Sequence, residues 1–187
     1  MKKQEFKPGQ IIEKFEIEGK KVVFKALEMS DIEESRKHIN KLIGEKAYIA
    51  MQNKVSIKKE KEWLKSEIGR MKSGEEVTIV ALVDEKFSGL AKVWKQPTDA
   101  NRHVSEIGIG FSTNRGIGLG TRMMQTLENI ARNDFRSEVL MIKCFEDNKI
   151  AERLYKKMGF IERGRIPKAV NHYGKYMAEI FLSKELK

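Results

Sequence analysis

The stretch Gly108–Met124, GIGFSTNRGIGLGTRMM, places five glycines in the thirteen residues from Gly108 to Gly120 and then turns abruptly amphipathic. Upstream, HVSEIGIGFS alternates as a strand does. Downstream, Leu119, Met123, Leu127 and Ile130 recur at helical spacing, through about Asn133. A glycine-rich turn joining strand to helix is the reading. Glycines reach positive φ, leave backbone N–H groups bare and let a ligand approach the main chain. The first N–H groups of a helix lack internal partners and carry partial positive charge, which makes an anion site. With Arg115 beside them, the backbone of Gly116 to Thr121 is expected to hold a phosphate or pyrophosphate. Two phosphate loops are excluded. No lysine follows the last glycine, as a P-loop requires, and Gly116-x-Gly118-x-Gly120 has the wrong spacing for a dinucleotide fingerprint. A ligand-free glycine turn is the plain alternative.

The chain has 187 residues, which suits one domain (1–187) with a sizeable core, and 40% hydrophobic with 34% charged residues suits a soluble globular protein. No run is long enough to span a membrane, and MKKQEFKPGQ lacks the apolar stretch of a secretory signal. A single cysteine, Cys144, excludes an intramolecular disulfide, fits a cytoplasmic setting and reads as a small buried hydrophobe in VLMIKCF. The net charge of +10 fits a polyanionic ligand, but basic residues interleave with acids, as in KKEKEWLKSE, so direct nucleic-acid binding is disfavoured.

Around the central stretch the order reads β-β-α-α-β-β-β-α-β-α-β-β, a mixed α/β chain with one strand–helix–strand crossover from Val104 to Phe145. The first two strands are Ile11–Ile17 and Lys21–Leu27. Ser30 and Glu33 read as a capping box for a helix burying Ile32, Ser35, Ile39 and Leu42 and ending at Gly44. In SIKKEKEWLKSEIGRMKSG, Ile57, Leu64, Ile68 and Met71 share a helical face, and Trp63 at its border reads as core. EVTIVALVD and FSGLAKVWKQ form a hairpin about DEKF. EVLMIKCFE reads as a strand buried on both faces, NKIAERLYKKMGF as a short helix stopped by Gly159, and Phe160–Arg165 and Lys175–Ser183 as two closing strands.

Two motifs carry a resemblance. Arg115, Gly118 and Gly120 fill R-x-x-G-x-G at the strand–helix junction, and Asn148, Ala151, Leu154, Tyr155, Gly159 and Phe160 fill N-x-x-A-x-x-L-Y-x-x-x-G-F about thirty residues on. In this the chain resembles the GNAT superfamily of acyl-CoA-dependent N-acetyltransferases. The tail GFIERGRIPKAVNHYGKYMAEIFLSKEL is similar to the ribosomal-protein and small-amine branch. The resemblance implies a mixed, mostly antiparallel twisted sheet of six to seven strands with about four helices, residues 1–19 adding an N-terminal strand. It implies acetyl-CoA as co-substrate and an amine acceptor, which is a protein N-terminus, a lysine, a polyamine or another small amine. A homodimer is compatible with it.

It also implies roles. Gly110, Phe111, Ser112 and Thr113 would pair with pantetheine amides, splayed by a β-bulge. Arg115, Gly116, Ile117, Gly118, Leu119, Gly120 and Thr121 would hold the pyrophosphate. Asn148 would contact the cofactor chain or simply cap its helix, and Tyr155 would protonate the departing thiolate. Glu106, expected on the strand face that carries Gly108 and Gly110, is the candidate base acting through water. The chain departs from the pattern in two places: Ser112 and Thr113 replace a common proline, and Ala178 stands where an aspartate is common. His172 and Tyr173 read as a solvent-exposed turn, with acceptor lining as the alternative, and no spacing suggests a metal site. A different class remains open: a module that binds acyl-CoA or nucleic acid without catalysis.

Overall fold

The computed structural model describes residues 5–186. An eight-stranded sheet has the order β1-β2-β3-β4-β5-β6-β8-β7. Its strands are β1 (Ile11–Ile17), β2 (Lys20–Ala26), β3 (Glu76–Val83), β4 (Lys86–Lys95), β5 (Val104–Phe111), β6 (Val139–Phe145), β7 (Ile161–His172) and β8 (Lys175–Glu185). The helices are α1 (Ile32–Gly44), α2 (Ile57–Lys72), α3 (Leu119–Asn133) and α4 (Lys149–Lys157). All neighbouring strands run antiparallel except β5 and β6, which α3 joins as a crossover. The element order and the α/β class expected from sequence are both present. β1 occupies one edge of the sheet and, among the described residues, pairs only with β2.

Cross-strand register divides the sheet into two faces. Thr78, Lys92 and Gly108 stand opposite one another along β3, β4 and β5, so they project to the same side. That side is covered by α2, whose Glu67 accepts from the Thr78 hydroxyl at 2.7 Å and pairs with Lys92 at 2.9 Å, and by α1, whose Leu42 lies against Gly110. Ile79, Ala91, Val93 and Ile107 project the other way, into the core with Met123, Leu127 and Ile130 of α3. Burying a side chain such as Leu127 contributes roughly 2 kcal/mol.

Three local expectations are corrected. Ser30 and Glu33 do not form the capping box; Glu28 and Asp31 do, around a single 3-10 turn at Met29–Asp31, and α1 starts after it. Ile57 is exposed at the first residue of α2, and Glu60 faces inward instead, accepting from the Ser35 hydroxyl at 2.5 Å and so tying α2 to α1. On α1, His38 takes the buried place expected of Ile39. The last strands also run further than expected. Pro167 is tolerated inside β7 because this is an edge strand and its register slips between Ile166 and Val170, where Lys168 has φ 57°.

Candidate active site

The cleft begins where the sheet splits. β5 and β6 pair only from Val104 opposite Val139 to Glu106 opposite Met141. Both continue beyond that point, β5 held by β4 through Phe111 and β6 held by β8 through Phe145. Their facing edges therefore diverge and present backbone donors and acceptors that no strand satisfies. An open edge of this kind offers its hydrogen bonds to an added strand or ligand. The cleft between them has a volume of about 870 Å³.

The expected bulge in β5 is absent, since its register with β4 is unbroken from Ser105 to Phe111. The irregularity is in β4, where Ser88 is the extra residue opposite β3. The Ser88 carbonyl accepts from the amides of Ser112 and Thr113 at 3.0 and 3.4 Å. These two residues lean onto β4 and do not line the cleft, whereas Gly110 and Phe111 do. Gly89 permits the close approach: a Cβ there would fall 2.4 Å from the Gly110 oxygen. Behind the strand end, the His38 Nδ1 lies 2.9 Å from the Ser112 hydroxyl. Burial, with the charges of Arg115 and Lys41 nearby, lowers the pKa of His38 to about 4, so the ring is neutral and Ser112 keeps a neutral partner.

Gly116 and Gly118 both have left-handed φ, 88° and 86°, and Gly118 is the residue preceding α3. Gly116, Gly118, Gly120 and Thr121 line the cleft at the start of that helix. Ile117 and Leu119 do not; Leu119 is buried in the core. Arg115 lines the cleft, donating to the Phe111 carbonyl at 2.7 Å and to Glu45 at 2.8 Å. It thereby joins the glycine turn to the end of α1.

α4 supplies the opposite wall. Asn148 caps it, accepting from the Ala151 amide at 3.2 Å, and also lines the cleft. Leu154 packs against Gly120, where a Cβ would come within 3.3 Å. Tyr155 is 5% exposed and faces the cleft beside Cys144. Burial, with the neighbouring Cys144, pushes the Tyr155 phenol well above its ordinary pKa, and burial pushes the Cys144 thiol to about 11. Both therefore hold their protons near neutrality. Glu106 stands at the apex of the split, outside the lining. Gln96 donates to it at 3.2 Å, and the Lys143 ammonium lies 3.3 Å away.

Sequence reading missed Tyr48, Lys143, Phe145 and Glu179, all of which line the cleft. Lys143 left a faint signal, as the one charge in an apolar strand run. Tyr173 lies in an exposed turn as expected, and neither it nor His172 is part of the cleft lining, but both are tied down. His172 is half-buried, within 3.2 Å of the Ala47 carbonyl, and the Tyr173 hydroxyl donates to the Ile43 carbonyl at 3.1 Å. The tip of the β7–β8 hairpin is thus clamped onto the segment between α1 and α2.

Residues 45–160 match the family model described as Acetyltransferase (GNAT) family. The chain belongs to the GNAT family. It is 35% identical over 68 residues to the uncharacterized N-acetyltransferase MJ1530 of Methanocaldococcus jannaschii, a match covering 36% of this chain and less than half, 43%, of that relative. Among solved structures it is similar to Mycobacterium smegmatis RimJ in complex with CoA-disulfide, with a TM-score of 0.81, 12% identity, and 97% of this chain and 90% of that chain covered. It is also similar to yncA from Salmonella typhimurium with its cofactor acetyl-CoA, with a TM-score of 0.76, 17% identity, and 89% and 94% coverage. These likenesses establish the GNAT fold, with its mixed sheet split between β5 and β6.

Proposed function

We propose that the protein transfers an acetyl group from acetyl-CoA to a primary amine by direct attack of the amine. The observation that carries this is the coincidence, in one cleft of a GNAT fold, of an unpaired β5 edge, a bare helix start and a buried protonated tyrosine. The solved neighbours that hold CoA or acetyl-CoA support it. The β5 edge from Gly108 to Phe111 gives pantetheine amides a strand to join, and one of its N–H groups polarises the thioester carbonyl. Gly116, Gly118, Gly120 and Thr121 receive the pyrophosphate, with Arg115 adding charge. Ser112, Thr113, Ile117 and Leu119 shape this surface from behind.

Tyr155 is the proton donor to the departing sulfur. Its raised pKa keeps the proton available at neutral pH, and its place on the lining aims it into the cleft. Glu106 takes the amine's proton through water from the apex of the split, and Asn148 both caps α4 and contacts the cofactor chain. The test is thiol release from acetyl-CoA across a panel of amines. Tyr155→Phe should lower kcat by about a hundredfold and Glu106→Gln by about tenfold, with acetyl-CoA affinity unchanged in both. CoA binding without thiol release for any amine would instead favour a binding module.

A further inference from the structure

The cleft wall formed by the α1–α2 segment and the last strands has its own chemistry. Tyr48 stacks on the His172 ring at 5.2 Å, with 30° between the planes. Phe145 meets both rings edge-on, at 6.3 and 5.8 Å. Glu179 lines the same cleft and stands directly opposite Phe145 in the β6–β8 ladder. Opposed residues of an antiparallel pair share a sheet face, so its carboxylate lies beside this aromatic wall.

Glu179 is the single acid among the described residues lining the cleft, and it is half-buried. Two of the three cations among the described residues that line the cleft are already engaged. Lys143 pairs with Glu106 at 3.3 Å and lies 5.4 Å from the Phe181 ring centroid. Arg115 pairs with Glu45. Lys157, the remaining cation of the lining, belongs to the last turn of α4. The Glu179 carboxylate has no hydrogen bond or ion pair with another described residue. In a chain of net charge +10, a carboxylate drawn into a cleft and left without a cation is conspicuous. A carboxylate that faces the cleft with no cation paired to it attracts the positive group of an incoming ligand. Aromatic side chains beside it favour the same kind of guest.

We propose that Glu179, with the Tyr48–Phe145–His172 wall, is the acceptor subsite and selects an amine that carries a second, cationic group. This rests on the acetyl-transfer reading above and names the substrate class for that site.

The test uses three acceptors of one chain length: 1,4-diaminobutane, butylamine and 4-aminobutanoate, whose far ends are positive, neutral and negative. With saturating acetyl-CoA, the wild type should favour the diamine over butylamine by about tenfold or more in kcat/KM, with 4-aminobutanoate the poorest. Glu179→Gln should bring the diamine down to the butylamine level through KM, leaving kcat within about twofold, and Glu179→Asp should restore part of the preference. Melting temperature and CoA affinity of both variants report on folding. A wild type without preference, or a preference that survives Glu179→Gln, overturns the subsite while leaving acetyl transfer standing. If the wild type releases no thiol with any amine, the transfer reading fails. Calorimetric titration of 1,4-diaminobutane into the CoA-saturated protein then decides the subsite: binding that Glu179→Gln abolishes supports it, and equal or absent binding overturns it.

Discussion

On the β5 side, the cleft is bounded by residues of a single stretch between Gly108 and Thr121, with Ser112, Thr113, Ile117 and Leu119 turned away, and what it offers is mostly main chain. On the other side, the boundary is stitched from distant pieces. The Gln52 amide donates to the Asn171 carbonyl at 2.5 Å, the Tyr173 hydroxyl reaches the Ile43 carbonyl, and His172 reaches Ala47, across 119 to 130 positions of sequence. A surface made of backbone groups depends on conformation, which glycines specify locally. A surface made of side chains depends on which elements meet. The first suits a ligand of constant chemistry such as a cofactor chain, and the second suits an acceptor that differs between proteins.

The largest expected effect comes from blocking the main-chain side. Gly118 has φ 86° and precedes α3, so a side chain there is strained, and a carboxylate would stand where an anion is expected to bind. Gly118→Glu should weaken acetyl-CoA binding by about a hundredfold or more, with a stability loss of roughly 1–2 kcal/mol from the backbone conformation. Gly69→Glu is the control: Gly69 lies on exposed α2 surface, and nothing lies within 4 Å of a Cβ there. It should leave CoA titration unchanged. A Gly118→Glu protein that binds acetyl-CoA as well as the wild type would remove the helix start from the site.

An intermediate effect is expected where the two sides meet. His38 of α1 bonds Ser112 at the end of β5, and its pKa is lowered to about 4, chiefly by burial. Below the unfolded value of 6.5 the unfolded chain takes up a proton that the folded chain refuses. Stability from this group is therefore complete above pH 6.5 and declines as pH falls toward 4. Between pH 8 and pH 5 the loss should be about 2 kcal/mol. Urea midpoints for the wild type and His38→Gln would measure it; equal pH slopes in the two proteins would show that His38 charges freely in the fold.

How far each part was legible follows the same division. The β5 strand, the glycine turn and the α4 helix were readable because strand alternation, helical spacing and glycine punctuation act over a few residues; the split between β5 and β6 was not, and the β-bulge expected in its place is absent from β5. Burial of His38 in place of Ile39 was not, because it depends on Ser112, 74 positions away. Glu60 facing inward depends on Ser35, and Gly89 matters only because β5 passes 2.4 Å from where its Cβ would be. Glu179 looked like any charged strand residue until β8 was placed beside Phe145. Periodicity shows which residues face inward; it does not show what they face.

The smallest expected effect tests the stitched side alone. His172 contributes a ring stacked on Tyr48 and a bond to the Ala47 carbonyl, and neither touches the glycine turn. His172→Ala removes both, while Tyr173 and Gln52 still clamp the hairpin tip through the Ile43 carbonyl and the Asn171 carbonyl. The clamp should therefore loosen without opening. Exposed or half-exposed contacts of this kind contribute about 1 kcal/mol. The KM for the amine should rise about fivefold, with the acetyl-CoA affinity and the melting temperature little changed. Steady-state kinetics with each substrate varied in turn separates the two. An equal rise in both KM values would mean that the hairpin positions the whole cleft, and the division between a main-chain side and a side-chain side would fail at that point.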